Sequence, residues 1–148
     1  MKKLTFMFAI LSIVFLSCTR QGDLNPNNSN TPNNSGNSNN PQTVVSGNWR
    51  VALFSDSGND ETSDFAGYTF NFGSASVVTV TRNGNTVTGT WSLNSGSRKF
   101  HINLGPKIDS NPLGELTDDW EIIEVNNTQI RLTDDNPASA EFLTFAKI

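Results

Sequence analysis

Between Tyr68 and Leu93 the chain reads YTFNFGSASVVTVTRNGNTVTGTWSL, and this stretch limits what the whole can become. Tyr68, Phe70 and Phe72 alternate with Thr69 and Asn71, the period-two pattern of a half-buried strand. Val78 and Val80 continue a β-branched run that suits a pleated surface. Asn83-Gly84 then supplies a residue pair that tolerates positive φ at both centres of a type I′ turn. Val87, Gly89, Trp91 and Leu93 share one face of the returning strand. Consecutive antiparallel strands rich in threonine and valine predict an all-β domain.

The same signals recur downstream. Strands are expected at about 44–55, 67–73, 76–83, 86–94, 97–105, 120–126, 128–134 and 140–147. Asn94-Ser95-Gly96, Asn126-Asn127 and Asp134-Asp135-Asn136-Pro137 are turn clusters between them. Two connections are longer. Asp56–Ala66 is acidic and polar, with Phe65 as a core anchor. Gly105–Asp119 contains PLGEL, a candidate helical turn whose Leu113 and Leu116 would plug one end of a barrel. About eight short strands fit a closed barrel or a sandwich. Sequential hairpins favour a small up-and-down antiparallel β-barrel, because a Greek key needs a long return connection.

The N-terminal third has a different composition. Lys2 and Lys3 precede an apolar run of 13 residues, Leu4–Leu16, broken only by Thr5 and Ser12. That is too short to cross a hydrocarbon core, which takes about 20 helical residues. It reads as a secretory signal over 1–17. Cys18, the single cysteine, follows directly and excludes an internal disulfide. Phe15-Leu16-Ser17-Cys18 resembles the lipobox of bacterial lipoproteins, with Phe15 in place of the usual leucine. The resemblance implies cleavage before Cys18, acylation of that residue and, with Thr19 rather than aspartate next, an outer-membrane lipoprotein. Several acyl chains hold such an anchor firmly, at roughly 0.8 kcal/mol per buried methylene. Residues 25–41 hold nine asparagines, three prolines and no apolar side chain. Nothing there offsets the entropy of ordering, so 18–42 is expected to be a disordered tether and 43–148 the folded domain.

The chain carries 10 Lys and Arg against 14 Asp and Glu, a net charge of −4. Loss of Lys2 and Lys3 with the signal makes the remainder more acidic. No basic cluster is left to attract nucleic acid.

Gly47-Asn48-Trp49 at the first strand is similar to the G-x-W motif that opens lipocalins. Gly67-Tyr68-Thr69-Phe70, Gly89-Thr90-Trp91-Ser92, Leu116-Thr117-Asp118-Asp119-Trp120 and Leu143-Thr144-Phe145 follow in order. Over 43–148 the chain resembles the lipocalin-like domains of Gram-negative bacterial lipoproteins. The resemblance implies a barrel whose base Trp49 closes, against Lys147 or Arg131. No counterpart of the T-D-Y motif is present.

Little in the sequence points to catalysis. His101, the single histidine, falls on the polar face of Phe100-His101-Ile102-Asn103-Leu104. A zinc site with nitrogen or sulfur ligands is therefore not available in the domain, and no G-x-S-x-G elbow presents a serine. The loop Asp56–Asp64 has oxygen ligands that could suit calcium, without the spacing of an EF-hand. No metal or cofactor and no enzyme activity is expected, and a monomer is favoured. Trp49, Tyr68, Phe70, Phe72, Trp91, Phe100 and Trp120 are the candidate barrel-interior or ligand-binding residues. Barrels of about eight strands either fill with side chains or hold one small ligand. Two functions follow: a binder of a small apolar molecule at the cell envelope, or a filled, non-catalytic scaffold whose outer surface meets protein or glycan.

Overall fold

A computed structural model describes residues 40–148. Cys18, the apolar run before it and the tether up to residue 39 lie outside the described residues. A helical turn, α1 (Pro41–Val45), precedes β1 (Asn48–Asp56) and the two-residue β2 (Asn59–Asp60). Then come β3 (Thr69–Phe72), β4 (Val77–Arg82), β5 (Asn85–Asn94) and β6 (Lys99–Asn103). Last are β7 (Asp118–Val125), β8 (Gln129–Thr133) and β9 (Phe142–Lys147). Two 3₁₀ turns, Thr62–Phe65 and Pro112–Leu116, fill the longer connections.

Each strand from β3 to β8 pairs antiparallel with the next, and β1 pairs with both β3 and β9. Eight strands thus close an up-and-down barrel, and β2 is a flap on the end of β1. The two seams of β1 are unequal. It meets β9 through six residue pairs but β3 through two, Asn48↔Asn71 and Trp49↔Phe70. Bulges at Ala52 and Ile123 bend β1 and β7, where the register slips by one.

The turns form for the reasons their residues suggest. Asn83 and Gly84 take φ of 52° and 79°, the left-handed pair a type I′ turn needs. Asn94 and Asn126 close their turns by accepting backbone N–H groups through Oδ1. The first expected strand began near residue 44, but 41–45 is helical. Asn40 caps it by accepting the Gln42 N–H at 3.0 Å, and Pro41 starts it with a preset φ. Val44 is thereby carried inward, fully buried.

Buried apolar residues from each of the eight barrel strands form one cluster with Phe65, Leu113 and Leu116 from the 3₁₀ turns. Val87 departs from the expected interior face. It lies on the face of Trp91 yet is 44% exposed. β6 pairs only with Thr90–Asn94, so the Asn85–Gly89 half of β5 overhangs the barrel. Gly89 marks the point of departure. A Cβ there would lie 2.1 Å from the Asn103 carbonyl oxygen and 2.9 Å from Leu104 Cδ2.

Candidate functional site

The interior comes first, since it decides whether the barrel can hold a ligand. Phe72 occupies the centre. Its ring meets Trp91 at 5.4 Å, Phe100 at 5.5 Å and Phe145 at 5.5 Å, all edge to face. Phe70 meets Phe145 at 5.1 Å, and Trp91 stacks on Phe100 at 5.7 Å. The polar edges are satisfied as well. The Trp49 indole N–H donates to the Val44 carbonyl at 2.9 Å, and that of Trp120 to the Leu116 carbonyl at 3.0 Å. Lys147 Nζ lies 5.6 Å from the Trp49 ring, while Arg131 pairs with Glu124 at 3.5 Å. Lys147 is thus the side chain that covers the barrel base.

Trp49, Phe70, Phe72, Phe100, Trp120, Ile122, Ile130 and Phe145 have at most 1% of their surface accessible. A void large enough for a water molecule would leave accessible surface on the side chains around it. The interior around these residues is therefore packed with side chains and dry. Tyr68, alone of the seven candidate residues, stands at the rim, half-buried under the Arg82 guanidinium at 4.7 Å.

Trp91 reaches both the interior and a cleft of about 200 Å³ at the base of the barrel. One wall is Pro41, Gln42 and Val45 of α1; the other is Ser74 and Ser76 of the β3–β4 loop. Trp91, Ser92 and Leu93 of β5 form the floor. The Trp91 indole donates to the Gly73 carbonyl at 2.9 Å, and its backbone N–H to that of Ser76 at 3.0 Å. The loop is thus tied to the strand beneath it.

The opposite end of the barrel is acidic. Glu141, just before β9, is the one buried charged residue among those described, 7% exposed. Its carboxylate has no hydrogen-bond partner among the described residues. Burial pushes its pKa up to about 7. Lys107 opposes the rise, and Asp56, Asp118 and Asp134 add to it. Lys107 itself pairs with Asp118 at 3.2 Å. In the Asp56–Asp64 loop, Asp60 accepts the Thr62 N–H at 3.0 Å, and Thr62 Oγ1 accepts the Phe54 N–H at 2.9 Å. These oxygens serve the turn. Among the described residues, no three His, Cys, Asp or Glu side chains stand close enough to hold a metal ion.

Ser92, His101 and Asp119 are cross-strand neighbours on the outer face. His101 Nδ1 is 3.3 Å from Asp119 Oδ1, with side chains 45% and 65% exposed. The Ser92 hydroxyl forms no hydrogen bond with His101. Water screens such a pair, and nothing activates the serine.

The sequence reading did not find Glu141 or the cleft. Glu141 fell inside an expected strand, and α1 was divided between tether and strand. The Asn40-Pro41 pair, a cap followed by a first-turn proline, was the available signal.

No protein-family profile matches the chain, and no curated protein matches it in sequence. In three dimensions it is similar to a DUF4847 family protein from Bacteroides vulgatus ATCC 8482. The TM-score is 0.51 and the identity 16%, over 71% of this chain and 94% of that one. A lipocalin-like protein from Bacteroides uniformis ATCC 8492 aligns with a TM-score of 0.49 and 15% identity, over 71% and 99%. Likeness at this identity concerns the fold alone.

Proposed function

We propose that this protein is a lipid-anchored, non-catalytic envelope module: a filled barrel that meets its partner through the outer surface. The observation that carries the reading is the dry interior, in which the rings of Phe70, Phe72, Phe100 and Trp120 have no accessible surface. A small apolar molecule would have to displace these side chains, and creating a cavity for one large ring costs about 3–5 kcal/mol. That supports the scaffold over the carrier of an apolar ligand. The base cleft, at about 200 Å³ and rimmed by serine and glutamine side chains, offers an apolar molecule little surface to bury. The anchor rests on Cys18 and the apolar run before it.

The test is titration of the full chain with an anionic naphthalene dye that fluoresces in apolar sites, alongside the indole N–H signals of its three tryptophans in ¹H–¹⁵N spectra. No saturable enhancement is expected, and the Trp49 and Trp120 signals stay in place. One-site saturation that moves both of them would restore the carrier.

A further inference from the structure

The base cleft combines three properties. Its floor is apolar, built by the Trp91 edge and Leu93, with Val45 beside them. Its rim is polar and open to solvent: the side chains of Gln42, Ser74, Ser76 and Ser92 are exposed and form no hydrogen bond among the described residues. No charged side chain lines it. Three hydroxyls and one amide thus converge on a small concavity with donors and acceptors free, as in sites that fix an oriented ligand over an apolar surface.

We propose that the cleft binds one ring of a neutral saccharide. This deepens the outer-surface reading above and rests on it. A pyranose has the matching distribution, with C–H groups on a face and hydroxyls around the edge. The face would lie over Leu93, Val45 and the exposed edge of Trp91, and the hydroxyls would meet the serines and Gln42. An anionic ligand finds no cation here to repay its desolvation. An acyl chain finds only about 200 Å³ and a polar mouth. A single ring suits the volume of about 200 Å³.

The surface continues in the same chemistry. Outward positions of β3 to β5 form the cross-strand rows Asn71–Thr79–Thr88 and Thr69–Thr81–Thr86, with Val77 beside Thr90, and no carboxylate is among them. A longer neutral glycan would leave the cleft over hydroxyls and amides, whereas Asp56, Asp118 and Asp134 gather at the other end around Glu141.

The experiment is ¹H–¹⁵N titration of the full chain with maltotriose, cellotriose and xylotriose, each neutral. Trigalacturonate is the charged control and tri-alanine the peptide control. Trp91→Phe assigns the indole signal. At least one neutral trisaccharide should move the Trp91 indole and the Ser76 and Ser92 amides saturably, and the controls should not. Ser92→Val and Gln42→Leu each remove one exposed polar group. Each should weaken binding about five-fold, the effect of one net hydrogen bond, with unchanged unfolding midpoints. No movement with any neutral sugar, equal movement with trigalacturonate, or movement with tri-alanine instead would overturn the proposal. So would affinity unaffected by both variants. Failure of the filled-barrel reading appears elsewhere, as dye-dependent shifts of Trp49 and Trp120.

Discussion

Replacing Glu141 by glutamine should stabilise the protein, and only at the upper end of the pH range. The residue is 7% exposed, its carboxylate has no hydrogen-bond partner among the described residues, and Asp56, Asp118 and Asp134 act on it against Lys107. Its pKa rises from 4.5 to about 7 on folding. For an acid shifted upward, the folded state holds a proton that the unfolded chain has released. Stability is therefore lost as pH climbs from about 4.5, and the loss is complete above about 7. At roughly 1.4 kcal/mol per pKa unit the full cost is about 3 kcal/mol, less whatever the 134–141 loop recovers by relaxing. Glutamine keeps the shape and stays neutral. Guanidinium unfolding of both full-length proteins at pH 4, 6 and 8 measures the difference. The variant should match wild type at pH 4 and exceed it by about 2–3 kcal/mol at pH 8. Lys107→Met should deepen the wild-type loss, since the lysine pulls the pKa down. A Glu141→Gln difference that stays flat from pH 4 to pH 8 would show that Glu141 is not buried in its neutral form.

Trp91→Ala should cost about 3–5 kcal/mol in equilibrium unfolding, because the ring packs on Phe72 and Phe100 and its N–H loses Gly73. A cost under about 2 kcal/mol would mean the site is already hollow. Gly89→Ala forces a Cβ to within 2.1 Å of a backbone oxygen, so β5 must move. Destabilisation of at least about 2 kcal/mol is expected by chemical denaturation, against near neutrality if the strands separate freely. Cys18→Ser should abolish palmitate labelling and leave an unprocessed precursor in the soluble fraction. A wild-type chain that takes up no label contradicts the anchor.

The hairpins were legible because their signals are local. Asn83-Gly84 states its turn in two residues, and Phe65, Leu113 and Leu116 stand out as apolar residues within polar connections. What stayed hidden depends on distant parts of the chain. Val87 shares the expected face, but only the end of β6 at Asn103 decides that nothing covers it. The bulges at Ala52 and Ile123 are set by pairing partners, with no glycine or proline to announce them. Glu141 follows Ala140 and precedes Phe142, an ordinary strand entry. Its burial comes from segments around Asp56, Lys107 and Asp118, which are far away in sequence. Of the seven aromatic residues singled out, six are buried in the barrel and Tyr68 stands at its rim. Whether they would enclose a void turned on ring volumes fitting one another, which alternation alone does not encode.

The unequal seams of β1 give the barrel a hinge line. Two residue pairs hold β1 to β3, helped by the Asn71 amide, which donates to Asn48 Oδ1 at 3.0 Å. Six pairs hold it to β9. Thermal breathing follows the weaker join, so hydrogen exchange at Trp49 and Phe70 should outpace exchange at Leu53 and Thr144, which face each other across the β1–β9 seam. Each such fluctuation parts the wall beside Phe70 and Phe72, so solvent reaches the dry centre there first. A protease or an unfolding chaperone would find its first purchase along that line, and a disulfide joining positions 48 and 71 would be the shortest route to a kinetically sealed barrel.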